Sequence, residues 1–451
     1  MRYLPKSPAE RDEMLQAIGA RSIDDLFSSI PEPFRLREPL RLPGPYSEAE
    51  VVRYFKDRAK ENSVGYTRFL GAGVYDHLRS VVTDTILQRG EFLTSYTPYQ
   101  AEISQGTLQA IFEFQTLVCQ LTGQEVANAS MWDGSTATTE AVLMAERLTR
   151  RRRVLVARSL HPEYRDVLKT YTKNVDIEVE EIPFGSDGAV DPQALQSALG
   201  EDVGAVVVQS PNFLGVIEDV PSIAETAHLS QAMLVVAVTE GVSLGVVRPP
   251  VEADIVALEG QSFGLPPSYG GPFVGVIATH EKFVRQMPGR LAGQAVDSQG
   301  RRGFVLTLAA REQHIRRERA TSNICTNQAL CALAVTVHLS LLGKEGLREM
   351  AEQNLAKAHF ALRELVKIPG VQRAFAEPFF NEFTIALPCP VERVNRQLLD
   401  EKIVGPFSLD SFYPDLPDHA LVCVTETTTR AEIEKLASAL RVALAVGCET
   451  A

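Results

Sequence analysis

The sequence predicts an α/β protein whose core is a largely parallel β-sheet covered by helices on both faces. Short apolar runs without polar alternation occupy residues 154–157, 203–209, 233–238 and 255–258. Such continuous runs are typical of strands that are buried on both faces. Amphipathic segments at 192–199 and 222–229 separate them, and strands alternating with helices indicate the α/β class. With 451 residues, 45% of them hydrophobic, the chain is long enough for one large core and smaller pieces.

The first 65 residues predict an N-terminal helical arm. The sequence S-P-A-E at 7–10 is a capping box with proline at the first helical position, so a helix is expected to about residue 19. A second short helix is expected at 22–28, and S-E-A-E at 47–50 caps a third that ends near residue 61. We expect this arm to lie across another body, because its helices carry few large apolar faces.

Two further domains are expected, a large one at 66–342 and a small one at 343–451. The large domain contains the alternating strands and helices. Beyond residue 343 a long helical pattern covers 345–367, and strand-like runs follow at 383–387 and 421–424. The sequence T-R-A-E at 429–432 then caps a closing helix to about residue 446. This order of elements is typical of a small α+β domain.

Charge and cysteine usage exclude several classes of function. The formal net charge of −12 argues against a nucleic-acid-binding surface, which needs clustered excess lysine and arginine. The six cysteines are scattered, without a C-x-x-C pair, so neither a disulfide framework nor a zinc site is expected. We find no apolar core of signal-peptide type at the N-terminus and no run of about 18 apolar residues that would span a membrane. A cytoplasmic enzyme or enzyme subunit is therefore expected.

Three stretches at the expected carboxyl edge of the sheet could bind a small ligand. A loop with Ser135 and Thr136 opens a helix whose free N–H groups could hold a phosphate, although it could equally be an ordinary capped helix. His161 follows the run at 154–157 and could stack on a flat ring, or it could be a loop histidine without function. Glu240 follows the run at 233–238, where a carboxylate could meet a pyridinium nitrogen, but acidic residues after strands are common.

In this order the stretches resemble the aspartate-aminotransferase-like (type I) fold of pyridoxal-phosphate enzymes. Four blocks resemble more closely the N-terminal half of the P-protein of the glycine cleavage system, glycine dehydrogenase (decarboxylating). They are Y-T-P-Y-Q with E-I-S-Q-G at 96–106, V-A-N-A-S at 126–130, S-Y-G-G-P at 268–272, and R-R-G-F with R-A-T-S-N-I-C-T within 301–326. The family occurs as one fused chain or as two subunits, and the resemblance, which runs nearly from end to end, is to the first (α) subunit.

The resemblance implies that the Schiff-base lysine lies on the second subunit. In the type I fold this lysine follows the strand after the ring-nitrogen acid, which here corresponds to residues 258–271. That window contains no lysine, and none occurs between Lys173 and Lys282. Without an amine the cofactor cannot be bound covalently, so we expect this chain alone to be inactive. Its own pocket is then a vestige that does not hold pyridoxal phosphate stably, with the residues Ser135, Thr136, His161 and Glu240.

The resemblance also implies a role at a subunit interface, since enzymes of this fold are generally dimers with active sites between subunits. The candidates for reaching the site of the second (β) subunit are Tyr96, Thr97, Tyr99, Thr321, Ser322 and Asn323. There, pyridoxal phosphate held by the partner would serve the decarboxylation of glycine, and the aminomethyl group would pass to the lipoyl arm of the H-protein, with lipoamide as acceptor. An α2β2 heterotetramer is expected. Two alternatives stay open: a non-catalytic scaffold whose polar groups brace the interface, and an independent pyridoxal-phosphate enzyme that uses an unexpected lysine.

Overall fold

The computed structural model describes residues 6–36, 38, 40–62 and 64–447. It divides into two compact units, Met1–Val64 and Gly65–Ala451. The predicted α/β class with a mainly parallel central sheet is confirmed.

The helices and strands of the described residues are as follows. The α-helices are α1 Pro8–Ala17, α2 Glu48–Ala59, α3 Val81–Leu87, α4 Gly90–Leu93, α5 Gln105–Thr122, α6 Gly134–Thr149, α7 Pro162–Thr172, α8 Pro192–Ala198, α9 Val220–Leu229, α10 Gln313–Arg316, α11 Ala329–Leu365, α12 Val391–Asp400 and α13 Arg430–Gly447. The strands are β1 Thr67–Arg68, β2 Val126–Ala127, β3 Arg153–Ala157, β4 Glu178–Ile182, β5 Val203–Gln209, β6 Met233–Val238, β7 Ile255–Glu259, β8 Gly275–Thr279, β9 Leu291–Val296, β10 Arg302–Thr307, β11 Gln372–Arg373, β12 Glu382–Ala386, β13 Ile403–Val404, β14 Phe407–Ser408 and β15 His419–Cys423.

The first unit consists of short helices, as its capping signals predict. In α1 the Ser7 hydroxyl accepts the Glu10 N–H while the Glu10 carboxylate accepts the Ser7 N–H, so both halves of the capping box are present. A capping box of the same kind, formed by Ser47 and Glu50, begins α2. The predicted helix at 22–28 is a 3-10 helix, Ile23–Phe27. Apolar side chains of this unit are largely exposed, with Leu15 as its buried core residue among those described.

The central sheet of the second unit has the order β2-β8-β7-β6-β5-β3-β4. Strands β4, β3, β5, β6 and β7 are parallel, while β8 runs antiparallel to both of its neighbours. Alternate residues of each strand enter separate cores: Val206 and Val208 of β5 pack on one face, and Ala205 and Val207 on the other. This double burial explains why the strands appear in the sequence as continuous apolar runs.

A smaller antiparallel sheet, β11-β12-β15-β14, packs with α12 and α13 around a core of its own. Helix α11 is interrupted at Gly343, whose φ of 58° and ψ of −171° are not helical. Strand β1 pairs with β13, which ties the start of the unit to its C-terminal part. The domain boundary at 342/343 stays a prediction.

Helix α11 is, by length and composition, the one helix of the described residues that could cross a membrane. Half of its most apolar window is buried inside the protein, and its side chains Ala332, Val335 and Leu339 belong to the sheet core. These contacts are those of a core helix.

Candidate functional site

The four predicted remnant-pocket residues lie along the carboxyl edge of the central sheet. Ser135 and Thr136 are in the first turn of α6, His161 connects β3 to α7, and Glu240 follows β6. Ser135, His161 and Glu240 are buried, and Thr136 is half-buried. Parallel strands bring their carboxyl ends to the same edge, which is the position where open α/β sheets bind ligands.

Carboxylates of the chain itself occupy the N-terminus of α6. Asp133 caps the helix, because its Oδ1 accepts the Thr136 N–H at 2.8 Å and the Ser135 hydroxyl at 2.9 Å. Glu259, at the end of β7, accepts the N–H of Gly134 at 2.8 Å. These are the donors that a phosphate at this helix end would use. Two carboxyl groups of the chain itself therefore accept the N–H groups at the positive end of the helix.

Glu259 is fully enclosed at this position. Its carboxylate also accepts the backbone N–H groups of Gln261 at 2.9 Å and of Val274 at 3.1 Å. Burial raises the pKa of Glu259 to about 7, against the lowering effect of these N–H donors. The Tyr164 hydroxyl lies directly over Gly134, where even a methyl group would collide with it. The helix end is therefore closely packed by the chain's own side chains.

Both ring nitrogens of His161 form hydrogen bonds within the protein. Its Nε2–H donates to the Ala72 carbonyl at 2.9 Å, and its Nδ1 accepts the Glu163 N–H at 3.2 Å. The ring stacks on Tyr164, with centroids 5.1 Å apart, and Phe213 packs edge-on at 4.7 Å. Burial lowers the pKa of His161, in keeping with a neutral ring. The face that would stack on a flat ligand lies instead on Tyr164.

Glu240 is bound to a buried histidine that the sequence did not mark. His77 donates from Nε2 to Glu240 at 2.9 Å and from Nδ1 to Glu426 at 2.8 Å, with its side chain 3% exposed. Asn381 donates to the same Glu240 oxygen at 2.9 Å. Burial by itself lowers the pKa of His77, but the charge of Glu240 and the hydrogen bonds to both carboxylates raise it to about 10. His77 is therefore a buried imidazolium between two carboxylates.

Residues 71–78, here called the inserted segment, supply most of these contacts. Besides His77, Ala72 donates its N–H to Glu382 at 2.6 Å, and the Tyr75 hydroxyl donates to the other oxygen of Glu382 at 2.7 Å. The Tyr75 N–H donates to Gln261 at 3.0 Å. The inserted segment thus fills the crevice between the carboxyl edge of the large sheet and the small sheet.

The residues present do not fit pyridoxal phosphate in this pocket. The loop after β7 contains no lysine, and the Gln261 amide in this loop donates to the carbonyls of Tyr75 and Leu265. Two lysines near the ends of the lysine-free stretch contact other side chains. Lys169 pairs with Glu181 at 2.7 Å, and the Lys282 ammonium lies 4.6 Å from the ring centre of Phe283.

A second polar cluster joins the two sequence blocks expected at the interface. Arg290, 3% exposed, donates to the hydroxyl of Thr97 at 3.1 Å, of Tyr99 at 3.0 Å and of Thr326 at 2.9 Å. Its Nε lies 3.7 Å from a Glu312 oxygen. Tyr99 is 63% exposed above it. This cluster, here called the arginine cluster, comprises Arg290 with the three hydroxyl residues Thr97, Tyr99 and Thr326.

The other predicted interface residues lie around the arginine cluster with separate contacts. Tyr96 is 78% exposed. Asn323 accepts from the Gln313 amide at 2.7 Å, and the Ser322 hydroxyl accepts the Ile324 N–H at 3.0 Å. The Thr321 N–H donates to the Arg311 carbonyl at 3.2 Å. The structure therefore connects Thr97 and Tyr99 to the second block through Thr326, and not through the residues at 321–323.

Four residues that organise these two regions were not predicted from the sequence. His77 and Arg290 act through partners far away in the chain, and neither belongs to a local motif. Thr326 is the last residue of R-A-T-S-N-I-C-T, so its block was recognised although its contact was not. Glu259 is an acidic residue at the carboxyl end of β7, and the same kind of position, directly after a strand, led to the prediction of Glu240.

Comparisons with known proteins agree on one family. The profile of the family Glycine cleavage system P-protein matches residues 1–440. The probable glycine dehydrogenase (decarboxylating) subunit 1 of Koribacter versatilis is 53% identical over 97% of this chain and 99% of its own length. The protein of the same name from Moorella thermoacetica is 49% identical over 99% of this chain and 100% of its own length.

Solved structures confirm the type I fold. A crystal structure of glycine decarboxylase (P-protein) of the glycine cleavage system, in inhibitor-bound form, superposes with a TM-score of 0.90 at 44% identity, covering 98% of this chain and 100% of that chain. A sphingosine-1-phosphate lyase of Burkholderia pseudomallei has a TM-score of 0.66 at 17% identity, covering 93% of this chain and 94% of that chain, and it shows the fold alone.

Proposed function

This chain belongs to the glycine cleavage system P-protein family, and we propose that it is the subunit that carries no cofactor and completes the active site of a second, lysine-bearing subunit. That subunit holds pyridoxal phosphate, which withdraws electrons from the glycine bond that breaks. Carbon dioxide leaves, and the aminomethyl group passes to the lipoyl arm of the H-protein with reduction of its disulfide. The two kinds of subunit form an α2β2 heterotetramer in the cytoplasm.

One observation carries the proposal: the chain's own cofactor pocket is filled by the inserted segment, while a polar cluster lies at its surface. Tyr96 and Tyr99 are 78% and 63% exposed. Aromatic residues and arginine are enriched at protein–protein contacts relative to the rest of a protein surface. A site that uses these groups would have to be closed by another chain.

The side chains suit the task of binding a small zwitterion. The carboxylate of glycine needs donors at fixed positions, and the hydroxyls of Tyr96, Thr97, Tyr99, Thr321 and Ser322 and the amide of Asn323 supply them. Loss of carbon dioxide depends on the orientation of the breaking bond, so holding the substrate and excluding water contribute more than proton transfer. We propose that these groups orient the substrate carboxylate in the partner's site.

The test is reconstitution of the chain with the second subunit and lipoylated H-protein. Tyr96→Ala and Thr321→Ala should each lower glycine decarboxylation at least about tenfold while the complex still assembles. Tyr171→Ala is the matched control, because Tyr171 is a 40% exposed tyrosine on α7 outside both blocks. If both variants decarboxylate glycine at the wild-type rate, these side chains do not act in the partner's site, and the non-catalytic scaffold is the function that remains.

The isolated chain tests the remaining alternative. Incubation with pyridoxal phosphate followed by borohydride should give no stoichiometric pyridoxyl-lysine adduct. The isolated chain should also release no carbon dioxide from glycine. A specific adduct at Lys169 or Lys282 would contradict the proposal.

A further inference from the structure

We infer that Arg290 is a positioning residue that turns the hydroxyls of Thr97, Tyr99 and Thr326 into outward hydrogen-bond donors for an anionic oxygen. The inference deepens the proposed function and rests on it. The anion is a carboxylate or phosphate group that the partner's site presents to this surface.

The geometry places one buried cation beneath three hydroxyls. Arg290 is 3% exposed, whereas Tyr99 and Thr326 are exposed and Thr97 is half-buried. One guanidinium nitrogen donates to both threonines, at 3.1 and 2.9 Å, and the other donates to the tyrosine at 3.0 Å. The backbone carbonyl of Arg290 accepts the Ala129 N–H at 2.8 Å, so the residue is fixed at both ends.

The direction of the hydroxyl protons follows from the chemistry of arginine. A guanidinium has only donors, so each hydroxyl oxygen must accept from it. Each O–H must then direct its own proton elsewhere, and within the described residues no hydrogen bond from these three hydroxyls to an acceptor is present. Three polarised donors therefore point away from Arg290, where the surface is open.

The charge of Arg290 is only partly balanced. Among the described residues its ion-pair partner is Glu312, whose Oε2 lies 3.7 Å from Nε, too far for a hydrogen bond. The Nε–H has no hydrogen-bond partner. A buried cation with one distant carboxylate leaves a positive potential beneath the hydroxyls, which favours an anion over a neutral ligand.

The opposite possibility is that Arg290 only braces two loops. Arg311 shows what such a brace looks like: it donates to the backbone carbonyls of Leu308, Met287 and Gly289. Among the described residues, the hydrogen bonds that Arg290 donates go to side-chain hydroxyls. This difference distinguishes a group that orients donors from one that holds backbone.

The experiment uses the reconstituted complex with lipoylated H-protein. Arg290→Met should raise KM for glycine about tenfold or more, with a smaller change in kcat, if the anion is the substrate carboxylate. If the anion is the cofactor phosphate, the dissociation constant of pyridoxal phosphate should rise by a similar factor instead. Added guanidinium should partly restore Arg290→Ala, and Arg290→Lys should restore less than half of the loss.

Two further variants keep the test decisive. Thr326→Val removes one exposed hydroxyl without emptying the interior and should shift the same constant about threefold or more. Arg348→Met is the control, because Arg348 is exposed and pairs with Glu352 on α11. If Arg290→Met and Thr326→Val turn over glycine at the wild-type rate, and neither KM for glycine nor the dissociation constant of pyridoxal phosphate changes, this inference alone is overturned. A wild-type complex without glycine turnover would overturn the proposed function first.

Discussion

Replacing His77 by alanine should cost the chain about 3–5 kcal/mol of its free energy of unfolding. The substitution leaves Glu240 and Glu426 buried without their shared cation, and removal of one partner from a buried ion pair typically costs about this much. The pKa gives a second route to the magnitude. A rise from 6.5 to about 10 corresponds, at about 1.36 kcal/mol per pH unit, to roughly 5 kcal/mol at most.

The pH dependence has a definite sign. Because the folded-state pKa of His77 lies above its unfolded value, the stabilisation is complete below about pH 6.5 and is lost as the pH rises to about 10. The difference between wild type and His77→Ala should therefore shrink across this range.

Urea unfolding of the full chain, followed by far-UV circular dichroism at pH 6.5, 8 and 9.5, measures both effects. His228→Ala is the control, because His228 pairs with Asp254 at the surface with 45% of its side chain exposed. A loss below about 1 kcal/mol at pH 6.5, or a difference that grows with pH, would refute the buried imidazolium.

Three other predictions concern stability. Burial raises the pKa of three carboxyl groups, those of Glu218, Glu259 and Glu382, to about 7, so the folded state holds protons that the unfolded state releases. The melting temperature should therefore fall as the pH rises from about 4.5 to 7. A melting temperature that stays constant over this range would contradict the prediction. Gly343→Ala should destabilise by about 1–3 kcal/mol in urea unfolding, although open space surrounds it, because its backbone conformation is nearly confined to glycine; Gly106→Ala, in regular helix α5 with open space around it, should not. Gly134→Ala should cost about 1–3 kcal/mol in the same assay, and Tyr164→Phe in the same chain should recover part of it; equal stability of the single and double variants would contradict the predicted collision.

The fold could be predicted from local pattern to a large extent. The runs at 203–209 and 233–238 coincide with β5 and β6, because strands buried on both faces must be apolar at every position. The caps at Ser7 and Ser47 begin helices as expected. Strands β2, β8, β9 and β10 were not predicted, since β2 has two residues and the others contain glycine that weakens the strand pattern.

The candidate site was harder to predict because its contacts join distant parts of the chain. His77 meets Glu240 and Glu426, and Arg290 meets Thr97 and Thr326, across separations that no local pattern reports. The sequence did show that the lysine is missing. It could not show that the inserted segment fills the space, because only the folded chain places Ala72 and Tyr75 there.

Under the proposed function, the carboxyl group of Glu259 at the start of α6 makes the division of labour between the two kinds of subunit difficult to reverse. A lysine introduced into the loop after β7 would restore an amine, but the Gly134 N–H would still be bonded to Glu259 and the inserted segment would still lie in the crevice. A revertant would need several coordinated changes, each of which removes a contact that now stabilises the fold. Under that proposal, dependence on a partner is part of the stability of this chain as well as of its chemistry.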